Sequence, residues 1–248
     1  MNKGVLYIAF GDNFLKELTL SAESVKRFCP DLHITVFSDK PVESEFIDEC
    51  RLIEARHLRP KIDYIMHAPY ERTLFLDTDT IIDYDISDMF DILDNFDIAL
   101  AHDLARKRKK YSDTIPEYGE IPYSFSELNT GVIAFKKNDR TELLWSRWRE
   151  NFYKWYDIVP WDQPSFRVSL WKTTLDDNLK LYVFPVEYNI RSKANREKQI
   201  RFHHENGDEH LTPRIYHMHA DTRINQGVYE IETVDEALEI CKKNFLEY

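Results

Sequence analysis

The amino-acid sequence predicts an α/β fold with a parallel central sheet flanked by helices. Short apolar runs rich in β-branched and aromatic residues alternate with segments whose apolar residues recur at helical spacing. Polar turn residues close these runs, and the chain contains no internal repeat and no Gly/Ser linker. Because a helix between two strands returns the chain to the same edge of a sheet, this alternation favours parallel pairing. We therefore expect a single domain over residues 1–248.

The N-terminal part begins with a strand, a turn and a helix. The strand covers residues 5–10 and ends at Gly11-Asp12-Asn13, and apolar residues at helical spacing between Phe14 and Phe28 predict an amphipathic helix. Further strands are predicted over residues 33–37, 51–54, 73–76 and 96–101.

The C-terminal part adds a buried strand over residues 131–135 and a helix over residues 140–155. Thr233-Val234-Asp235-Glu236 matches a capping box, so a closing helix is expected to run to about residue 246. Residues 103–128 and 191–212 are rich in charge and lack a clean period. Long irregular loops of this kind are often lids or binding loops.

Composition excludes several classes of protein. Hydrophobic residues make up 43% of the chain, which is too many for a disordered protein. No apolar run reaches the roughly 20 residues needed to span a bilayer, and the N-terminus lacks the features of a secretory signal. A net charge of -11 disfavours nucleic-acid binding, and three cysteines without C-x-x-C spacing predict neither a disulfide framework nor a zinc site. We expect a soluble, cytoplasmic protein.

Two acidic residues interrupt an apolar run at Asp77-Thr78-Asp79. Ionised carboxylates are costly to bury without partners, whereas a pair at the carboxyl end of a strand is a natural ligand set for Mg²⁺ or Mn²⁺. Two alternatives remain. The aspartates could cap a turn, as Asp83-Tyr84-Asp85 is expected to do before a helix. Asp77 could also be the nucleophile of a haloacid-dehalogenase-like phosphatase, although Asp176-Asp177 does not follow the second apolar strand which that enzyme class requires.

A series of motifs resembles the GT-A glycosyltransferases. In chain order the motifs are Leu74-Phe75-Leu76-Asp77-Thr78-Asp79, Glu127-Leu128-Asn129-Thr130-Gly131-Val132, Asp162-Gln163, Tyr188-Asn189 and His217-Met218-His219. The resemblance extends from about Val5 to Asp221 and is greatest to the glycogenin and lipopolysaccharide galactosyltransferase-like group. It implies a Rossmann-like nucleotide-diphospho-sugar transferase fold, in which the central sheet is mixed and mostly parallel. A nucleotide-binding part would cover about residues 1–102. A donor-sugar and acceptor part over about 103–221 and the closing helix over 233–246 would follow.

The resemblance implies a metal centre formed by Asp77, Asp79 and His217. Mn²⁺, or Mg²⁺, would bridge the two phosphates of the donor there. His219 would share a strand face with His217 and is the alternative ligand, and His217 is favoured by its position in the motif. Ala220 stands where the usual H-x-x-G pattern has glycine.

The resemblance also implies contacts with the rest of the donor. Nucleotide contacts are expected from Ala9, Phe10, Asp12, Lys61 and Thr78, and the flexible ammonium of Lys61 is suited to reach a phosphate. Donor-sugar contacts are expected from Asp103, Arg106, Asn129, Thr130 and Gly131. Asp162 and Gln163 are expected beside the anomeric carbon, where polar oxygens can stabilise an oxocarbenium-like centre. The alternative for Asp162-Gln163 is that these residues simply begin a helix.

The sequence therefore predicts metal-dependent transfer of a sugar from a nucleotide diphosphate sugar, UDP-linked, to the hydroxyl group of a glycan, lipid-linked or protein acceptor. The resemblance implies retention of anomeric configuration, whereas an inverting enzyme would need a general base such as Asp162 or Glu127. The phosphatase and a non-catalytic nucleotide-sugar-binding module are the alternatives. The basic run at residues 106–110 is interpreted as a solvated face, or as part of a lid or acceptor loop.

Overall fold

The computed structural model describes residues 2–54, 56–191, 212–218 and 231–245. The strands are β1 (Lys3–Ala9), β2 (His33–Ser38), β3 (Glu49–Leu52), β4 (Arg72–Leu76), β5 (Thr80–Ile82), β6 (Ile98–His102), β7 (Leu128–Lys136), β8 (Leu181–Phe184) and β9 (Ile215–His217). The α-helices are α1 (Asp12–Phe28), α2 (Lys61–Tyr64), α3 (Lys109–Thr114), α4 (Pro116–Glu120), α5 (Asp139–Trp155), α6 (Asp162–Asp176) and α7 (Val234–Phe245). Short 3₁₀ helices cover Ile65–His67, Ser87–Asp94 and Val186–Tyr188.

The strands form two sheets. The larger sheet has seven strands in the order β3-β2-β1-β4-β7-β6-β8, and β5 and β9 form a separate two-stranded sheet. β1 pairs with β2 and β2 pairs with β3 in parallel, whereas β6 and β7 are antiparallel. The predicted α/β fold with a mixed, mostly parallel sheet is confirmed.

Several elements differ from the sequence prediction. The segment over residues 103–128 contains the short helices α3 and α4. Helix α6 continues far beyond the possible start at Asp162, and no amphipathic pattern marks it because most residues of its first three turns are buried. Asp85 precedes a 3₁₀ helix rather than an α-helix, although its carboxylate accepts a 2.8 Å hydrogen bond from the Ser87 N–H, as expected of a cap. Most of the segment over residues 191–212 lies outside the described residues.

The described chain divides into two compact units. Unit 1 comprises the described residues within Met1–Lys3, Ala55–Phe75 and Met89–Val183, and unit 2 comprises those within Gly4–Glu54, Leu76–Asp88 and Phe184–Tyr248. None of the described helices is long and apolar enough to cross a membrane.

Aromatic side chains of α5 and α6 form the centre of unit 1. The rings of Trp148 and Phe166 lie 4.8 Å apart, and those of Phe135 and Trp145 lie 4.9 Å apart, both in edge-to-face geometry. The indole N–H of Trp148 donates to the backbone oxygen of Asp162 at 3.0 Å. This packing fixes the start of α6.

Helices α1 and α7 cover the small β5–β9 sheet in unit 2. Leu20 of α1, Tyr216 of β9 and Ala237 of α7 belong to one buried cluster. The predicted capping box begins α7, since the Thr233 hydroxyl accepts from the Glu236 N–H and the Glu236 carboxylate accepts from the Thr233 N–H, both at 3.2 Å. The closing helix and its cap are therefore confirmed.

Asp97 is a fully buried carboxylate just before β6 in unit 1. It accepts hydrogen bonds from the Arg140 guanidinium at 2.7 and 3.0 Å, from Asn138 at 2.8 Å and from the Lys180 N–H at 2.9 Å. Burial opposes ionisation, but these donors outweigh it and lower the pKa of Asp97 to about 2. The carboxylate thereby ties the start of α5 to the segment before β8.

We expect Asp97→Asn to lower the free energy of unfolding by about 2 kcal/mol at pH 7, because the charge-assisted hydrogen bonds are weakened. A lowered pKa stabilises the fold above the unfolded-state pKa, so the difference from wild type should shrink as the pH falls from about 4 towards 2. Urea unfolding at several pH values would measure it. Asp139→Asn, which changes an exposed neighbour, should stay within about 0.5 kcal/mol of wild type; an equal loss there would contradict the assignment.

Candidate active site

Two carboxylates and one imidazole converge in unit 2. Ligand atoms of Asp77, Asp79 and His217 all lie within 4.8 Å of one another. The Nε2 atom of His217 is 3.2 Å from Oδ1 of Asp79 and 3.9 Å from Oδ2 of Asp77. Asp79 and His217 are buried, and Asp77 is half-buried. The structure thus brings together the three side chains that the sequence assigned to a metal centre.

The antiparallel pairing of β5 with β9 sets the position of His217. Thr80 lies opposite His217 in this ladder, and the Met218 N–H donates to the Asp79 carbonyl oxygen at 2.8 Å. Side chains of a strand alternate between its two faces. A register shift of one residue would therefore turn the imidazole away from the carboxylates.

A chain of buried hydroxyl groups fixes the turn between β4 and β5 within unit 2. The Thr80 hydroxyl donates to the Asp77 carbonyl oxygen at 2.8 Å and lies 3.0 Å from the Ser21 hydroxyl of α1. The Ser21 oxygen is in turn 2.8 Å from the hydroxyl of Tyr7 in β1. Burial raises the pKa of Tyr7 above its ordinary value, so the phenol stays neutral and available for this contact.

Asn189 contacts the imidazole of His217. It is fully buried, and its side-chain oxygen lies 3.0 Å from Nδ1 of His217. Because an amide oxygen accepts hydrogen bonds, this contact favours a hydrogen on Nδ1, and Nε2 is the ring nitrogen that faces the carboxylates. The resemblance includes Asn189 but gives it no role, and its distance from His217 in the sequence gives no sign of the contact.

The donor set of this cluster fits a divalent metal ion. Two carboxylate oxygens and one imidazole nitrogen supply three candidate ligand atoms. A divalent cation would balance the mutual repulsion of Asp77 and Asp79. Orientation of a ligating histidine through its other ring nitrogen is typical of metal sites. These residues could therefore hold such an ion.

Thr78 points away from this cluster. Its hydroxyl donates to the Glu17 carboxylate of α1 at 3.2 Å, and both residues are buried. The side chain of Thr78 is therefore used within unit 2, and its contact with the nucleotide stays a prediction.

The turn after β1 contains the other nucleotide-binding candidates of unit 2. Ala9 is the buried last residue of β1, and Phe10 is half-buried. Gly11 has φ 86°, which glycine adopts without strain, and no side chain caps the N-terminus of α1 that follows. Asp12 is exposed and forms a 2.5 Å ion pair with Lys40.

Lys61, predicted to reach a phosphate, is paired within unit 1. Its ammonium donates to the backbone and hydroxyl oxygens of Thr130 at 3.0 and 3.3 Å and lies 3.0 Å from Oδ2 of Asp162. The Thr130 hydroxyl donates to the same carboxylate oxygen at 2.8 Å. Two predicted sugar-site residues and Lys61 thus form one buried cluster, and the phosphate contact of Lys61 stays a prediction.

Asp162 is the first residue of α6, so the predicted helix start is present as well. Burial opposes ionisation of this carboxyl group, but Lys61, Arg59 and the hydrogen bonds from Lys61 and Thr130 hold its pKa well below the usual range. The Arg59 guanidinium also lies 4.7 Å from the ring centre of Trp161, which is exposed. Asp162 is therefore a persistent anion and a weak base.

A second pair of carboxylates lies in unit 1 at Asp103 and Glu127, which are 1% and 0% exposed. One guanidinium, that of Arg108, lies 3.1 Å from Oδ1 of Asp103 and 3.5 Å from Oε2 of Glu127. The Tyr118 hydroxyl donates to Oε1 of Glu127 at 3.3 Å. Burial and the neighbouring Asp103 raise the pKa of Glu127 to about 7, although Arg108 opposes the shift.

The basic run at residues 106–110 is not a uniform solvated face. The Lys107 ammonium donates to the carbonyl oxygens of Gly119 and Ile121 at 2.6 Å, and Arg108 faces the buried carboxylates. Arg106 is exposed and donates to the Ser126 hydroxyl at 3.3 Å. Two of these cations therefore organise the loop, because they bind backbone oxygens or buried anions.

The remaining predicted residues take ordinary local positions. Asn129 is buried, and its side-chain oxygen accepts from the Gly131 N–H at 3.0 Å. Gln163 is half-buried in the first turn of α6. His219 lies outside the described residues, so the choice between it and His217 stays a prediction. The sequence pattern did not reveal the roles of Arg108 and Asn189. Asn189 meets His217 only in the folded chain, and Arg108 lies in a basic run that was interpreted as a solvated face.

We expect Glu127→Gln to stabilise the protein above pH 7, because wild type then carries an ionised buried carboxylate beside Asp103. A carboxyl pKa raised from 4.5 to about 7 favours the fold at low pH, and this advantage is lost as the pH rises through 7, by up to about 3 kcal/mol. Thermal unfolding at pH 5 and pH 8 would measure it. A melting-temperature difference between variant and wild type that does not grow with pH would contradict the raised pKa.

Comparison with known proteins gives one family and several similar folds. The family described as nucleotide-diphospho-sugar transferase matches residues 62–228. No curated protein sequence gives a significant match. The galactosyltransferase LgtC, solved with donor and acceptor sugar analogues, is 14% identical with a TM-score of 0.58, covering 97% of this chain and 96% of that one. Apo mouse xyloside xylosyltransferase 1 is 13% identical with a TM-score of 0.56, covering 89% and 99%.

The apo form of glycosyltransferase GlyE from Streptococcus pneumoniae TIGR4 is 16% identical with a TM-score of 0.61, covering 97% of this chain and 60% of that one. These likenesses concern the fold, and the family match covers most of the chain. The fold, the motif series and the matched family agree. The chain belongs to the nucleotide-diphospho-sugar transferase family and is a glycosyltransferase of GT-A fold.

Proposed function

We propose that this glycosyltransferase is metal-dependent and transfers a sugar from a UDP-sugar to a hydroxyl acceptor with retention of anomeric configuration. The observation that carries the proposal is the convergence of Asp77, Asp79 and His217, in which Nε2 of His217 faces the carboxylates and Nδ1 contacts Asn189. Family membership supplies the nucleotide sugar donor and an acceptor. The carboxylates and the imidazole would hold the cation that meets the diphosphate.

Mn²⁺ is the ion that this ligand set favours. Carboxylate oxygens suit both Mg²⁺ and Mn²⁺, but an imidazole nitrogen suits a transition metal better than Mg²⁺. The bound ion supplies Lewis-acid stabilisation of the departing diphosphate. Asn189 keeps the imidazole in the ligating tautomer, and the hydroxyl chain behind Thr80 keeps the turn of Asp77 rigid.

The nucleotide is assigned to the turn after β1. The backbone of Ala9 and Phe10 and the carboxylate of Asp12 are proposed to contact base and ribose. The first N–H groups of α1, which no side chain caps, add hydrogen-bond donors at this turn. Lys40 balances the charge of Asp12.

The donor sugar is assigned to Asp103, Arg106, Asn129, Thr130 and Gly131, with Asp162 and Gln163 beside the anomeric carbon. The lowered pKa of Asp162 supports retention, because a general base for inversion works best with a pKa near the operating pH. Glu127 has a pKa near 7 but is fully buried, so it is poorly placed to take a proton from an acceptor. An ionised Asp162 suits electrostatic stabilisation of an oxocarbenium-like centre. LgtC is named a galactosyltransferase, so a UDP-hexose is the first donor to test.

We expect Mn²⁺ together with a UDP-sugar to raise the melting temperature by about 5–10 °C when the sugar nucleotide is present at roughly one hundred times its Kd. Mn²⁺ alone or the UDP-sugar alone should give a smaller shift. Asp79→Asn should abolish the joint shift, because it removes a ligand charge from the metal. The measurement is a thermal-shift screen of UDP-, GDP- and ADP-sugars with and without Mn²⁺. Asp83→Asn is the matched control, since Asp83 pairs with Lys242 in the same unit.

The outcomes separate the alternatives. No shift with any donor, or an intact shift in Asp79→Asn, would contradict the metal–diphosphate assignment. A shift with a GDP- or ADP-sugar alone would contradict only the choice of nucleotide. Binding without transfer or donor hydrolysis would favour the non-catalytic module, and a phosphoaspartate trapped on Asp77 would favour the phosphatase.

We expect Asn189→Ala to weaken Mn²⁺ binding about 10- to 100-fold, because the imidazole loses the partner that sets its tautomer. Titration of the UDP-dependent thermal shift with Mn²⁺ gives the apparent affinity. Asn189→Asp retains an oxygen acceptor for Nδ1 and should stay close to wild type. Equal Mn²⁺ affinity in wild type and Asn189→Ala would show that Asn189 does not orient the ligand.

A further inference from the structure

Arg108 differs from the other cations of residues 106–110 in the way it is held. Its guanidinium contacts Asp103 through one terminal nitrogen at 3.1 Å and Glu127 through Nε at 3.5 Å. Its backbone N–H donates to the Tyr118 hydroxyl at 2.9 Å. The head group and the start of the side chain are therefore both fixed, which reduces the entropy lost when the side chain binds a ligand.

The outer edge of this guanidinium is available. The Arg108 side chain is 40% exposed, whereas those of Asp103 and Glu127 are 1% and 0% exposed. Its second terminal nitrogen, Nη1, has no hydrogen-bond partner among the residues that the structure describes. Arg108 therefore connects two buried anions with a surface that a ligand can reach.

The charge balance favours a neutral ligand group. Two carboxylates share the Arg108 guanidinium, so its positive charge is already offset. Arg167, the other cation near Glu127, is buried and donates to the backbone oxygens of Phe125 and Pro122. A phosphate would meet the repulsion of the carboxylates, whereas a hydroxyl oxygen can accept from Nη1 without that cost.

We propose that Arg108 binds a hydroxyl group of the donor sugar, and that Asp103 and Glu127 hold its guanidinium in place for this contact. The inference rests on the proposed function, since it takes the donor sugar to be bound at Asp103. It adds Arg108 as a sugar-binding residue and makes Glu127 a positioning residue, which acts on the substrate only through Arg108.

The positioning role predicts a dependence on pH. The groups that face Glu127 are Asp103, Arg108, Tyr118, Gln163 and Arg167. Burial and the charge of Asp103 raise the pKa of Glu127 to about 7, against the opposing effects of Arg108, Gln163 and Arg167. Ionised Glu127 attracts the guanidinium, and protonated Glu127 holds it less firmly. The contribution of the sugar to affinity therefore increases as the pH rises through about 7.

The test compares the affinities of UDP and UDP-sugar in the presence of Mn²⁺. Isothermal titration with UDP, UDP-glucose and UDP-galactose is done on wild type, Arg108→Ala, Arg108→Lys and Lys109→Ala. We expect Arg108→Ala to weaken binding of the better UDP-sugar about tenfold and to leave UDP binding unchanged, which also shows that the variant is folded. Arg108→Lys keeps the charge but cannot bridge both carboxylates, so it should recover only part of the loss. Lys109→Ala removes an exposed charge next in the chain and should match wild type.

The role of Glu127 is tested with Glu127→Gln. This variant should lose the pH dependence of the ratio between UDP-sugar and UDP affinities, measured from pH 6 to pH 8. In an Arg108→Ala background it should change that ratio less than twofold. Asp97→Asn, a buried carboxylate elsewhere in unit 1, should keep the wild-type pH dependence.

Different outcomes test the sugar contact of Arg108, the positioning role of Glu127 and the proposed function separately. An equal loss of UDP and UDP-sugar affinity in Arg108→Ala, or no loss of either, would overturn the sugar contact while leaving the proposed function intact. A full effect of Glu127→Gln in the Arg108→Ala background would overturn the positioning role. Absence of Mn²⁺-dependent UDP binding by wild type would overturn the proposed function, and this inference with it.

Discussion

The pairing of three residues of β5 with three residues of β9 is the constraint on which the candidate metal centre depends. This ladder places His217 opposite Thr80, and the turn before Thr80 carries both aspartates. Few backbone hydrogen bonds hold so short a sheet, and isolated two-stranded sheets are marginally stable in water. Its stability comes instead from burial beneath α1 and α7 and from the hydroxyl contacts of Ser21. Packing far from the ligands therefore determines the precision of the site.

The sequence was sufficient to predict features that depend on the local pattern of apolar residues, or on charged residues within an apolar run. The strand and helix periods gave the fold class, and carboxylates interrupting an apolar run gave Asp77 and Asp79. Features created by tertiary packing were not predictable from the pattern. α6 shows no amphipathic period because both of its sides are buried early on, and Asn189 meets His217 only after the chain has folded. The contact between Lys61 and Asp162 was not predicted either, since spacing in the sequence does not reveal that Asp162 lies beside the Lys61 ammonium.

Three buried carboxyl groups of unit 1, those of Asp97, Asp162 and Glu127, differ in the charges and hydrogen-bond donors that surround them. Asp97 accepts several hydrogen bonds, and Asp162 lies beside the cations of Lys61 and Arg59, so the pKa of each is lowered and both carboxyl groups stay ionised. Glu127 must share Arg108 with Asp103, and its pKa rises towards neutrality. Burial alone therefore does not decide the protonation state of these carboxyl groups, because Glu127 faces a second buried carboxylate, Asp103, whereas the neighbours of Asp97 and Asp162 stabilise the ionised form. The group with the least compensation is the one that can change its charge near physiological pH.

The order of the cluster along the chain has a consequence for biosynthesis. Asp77 and Asp79 precede His217 by more than half of the 248 residues. During translation the two aspartates leave the ribosome long before β9 exists to pair with β5, and domains generally fold from the N-terminal side first. Nascent chains therefore display the acidic pair without its imidazole, and an ion held by all three side chains could bind only after residue 217 has emerged. A fragment ending before Ile215 would lack the imidazole of the cluster altogether.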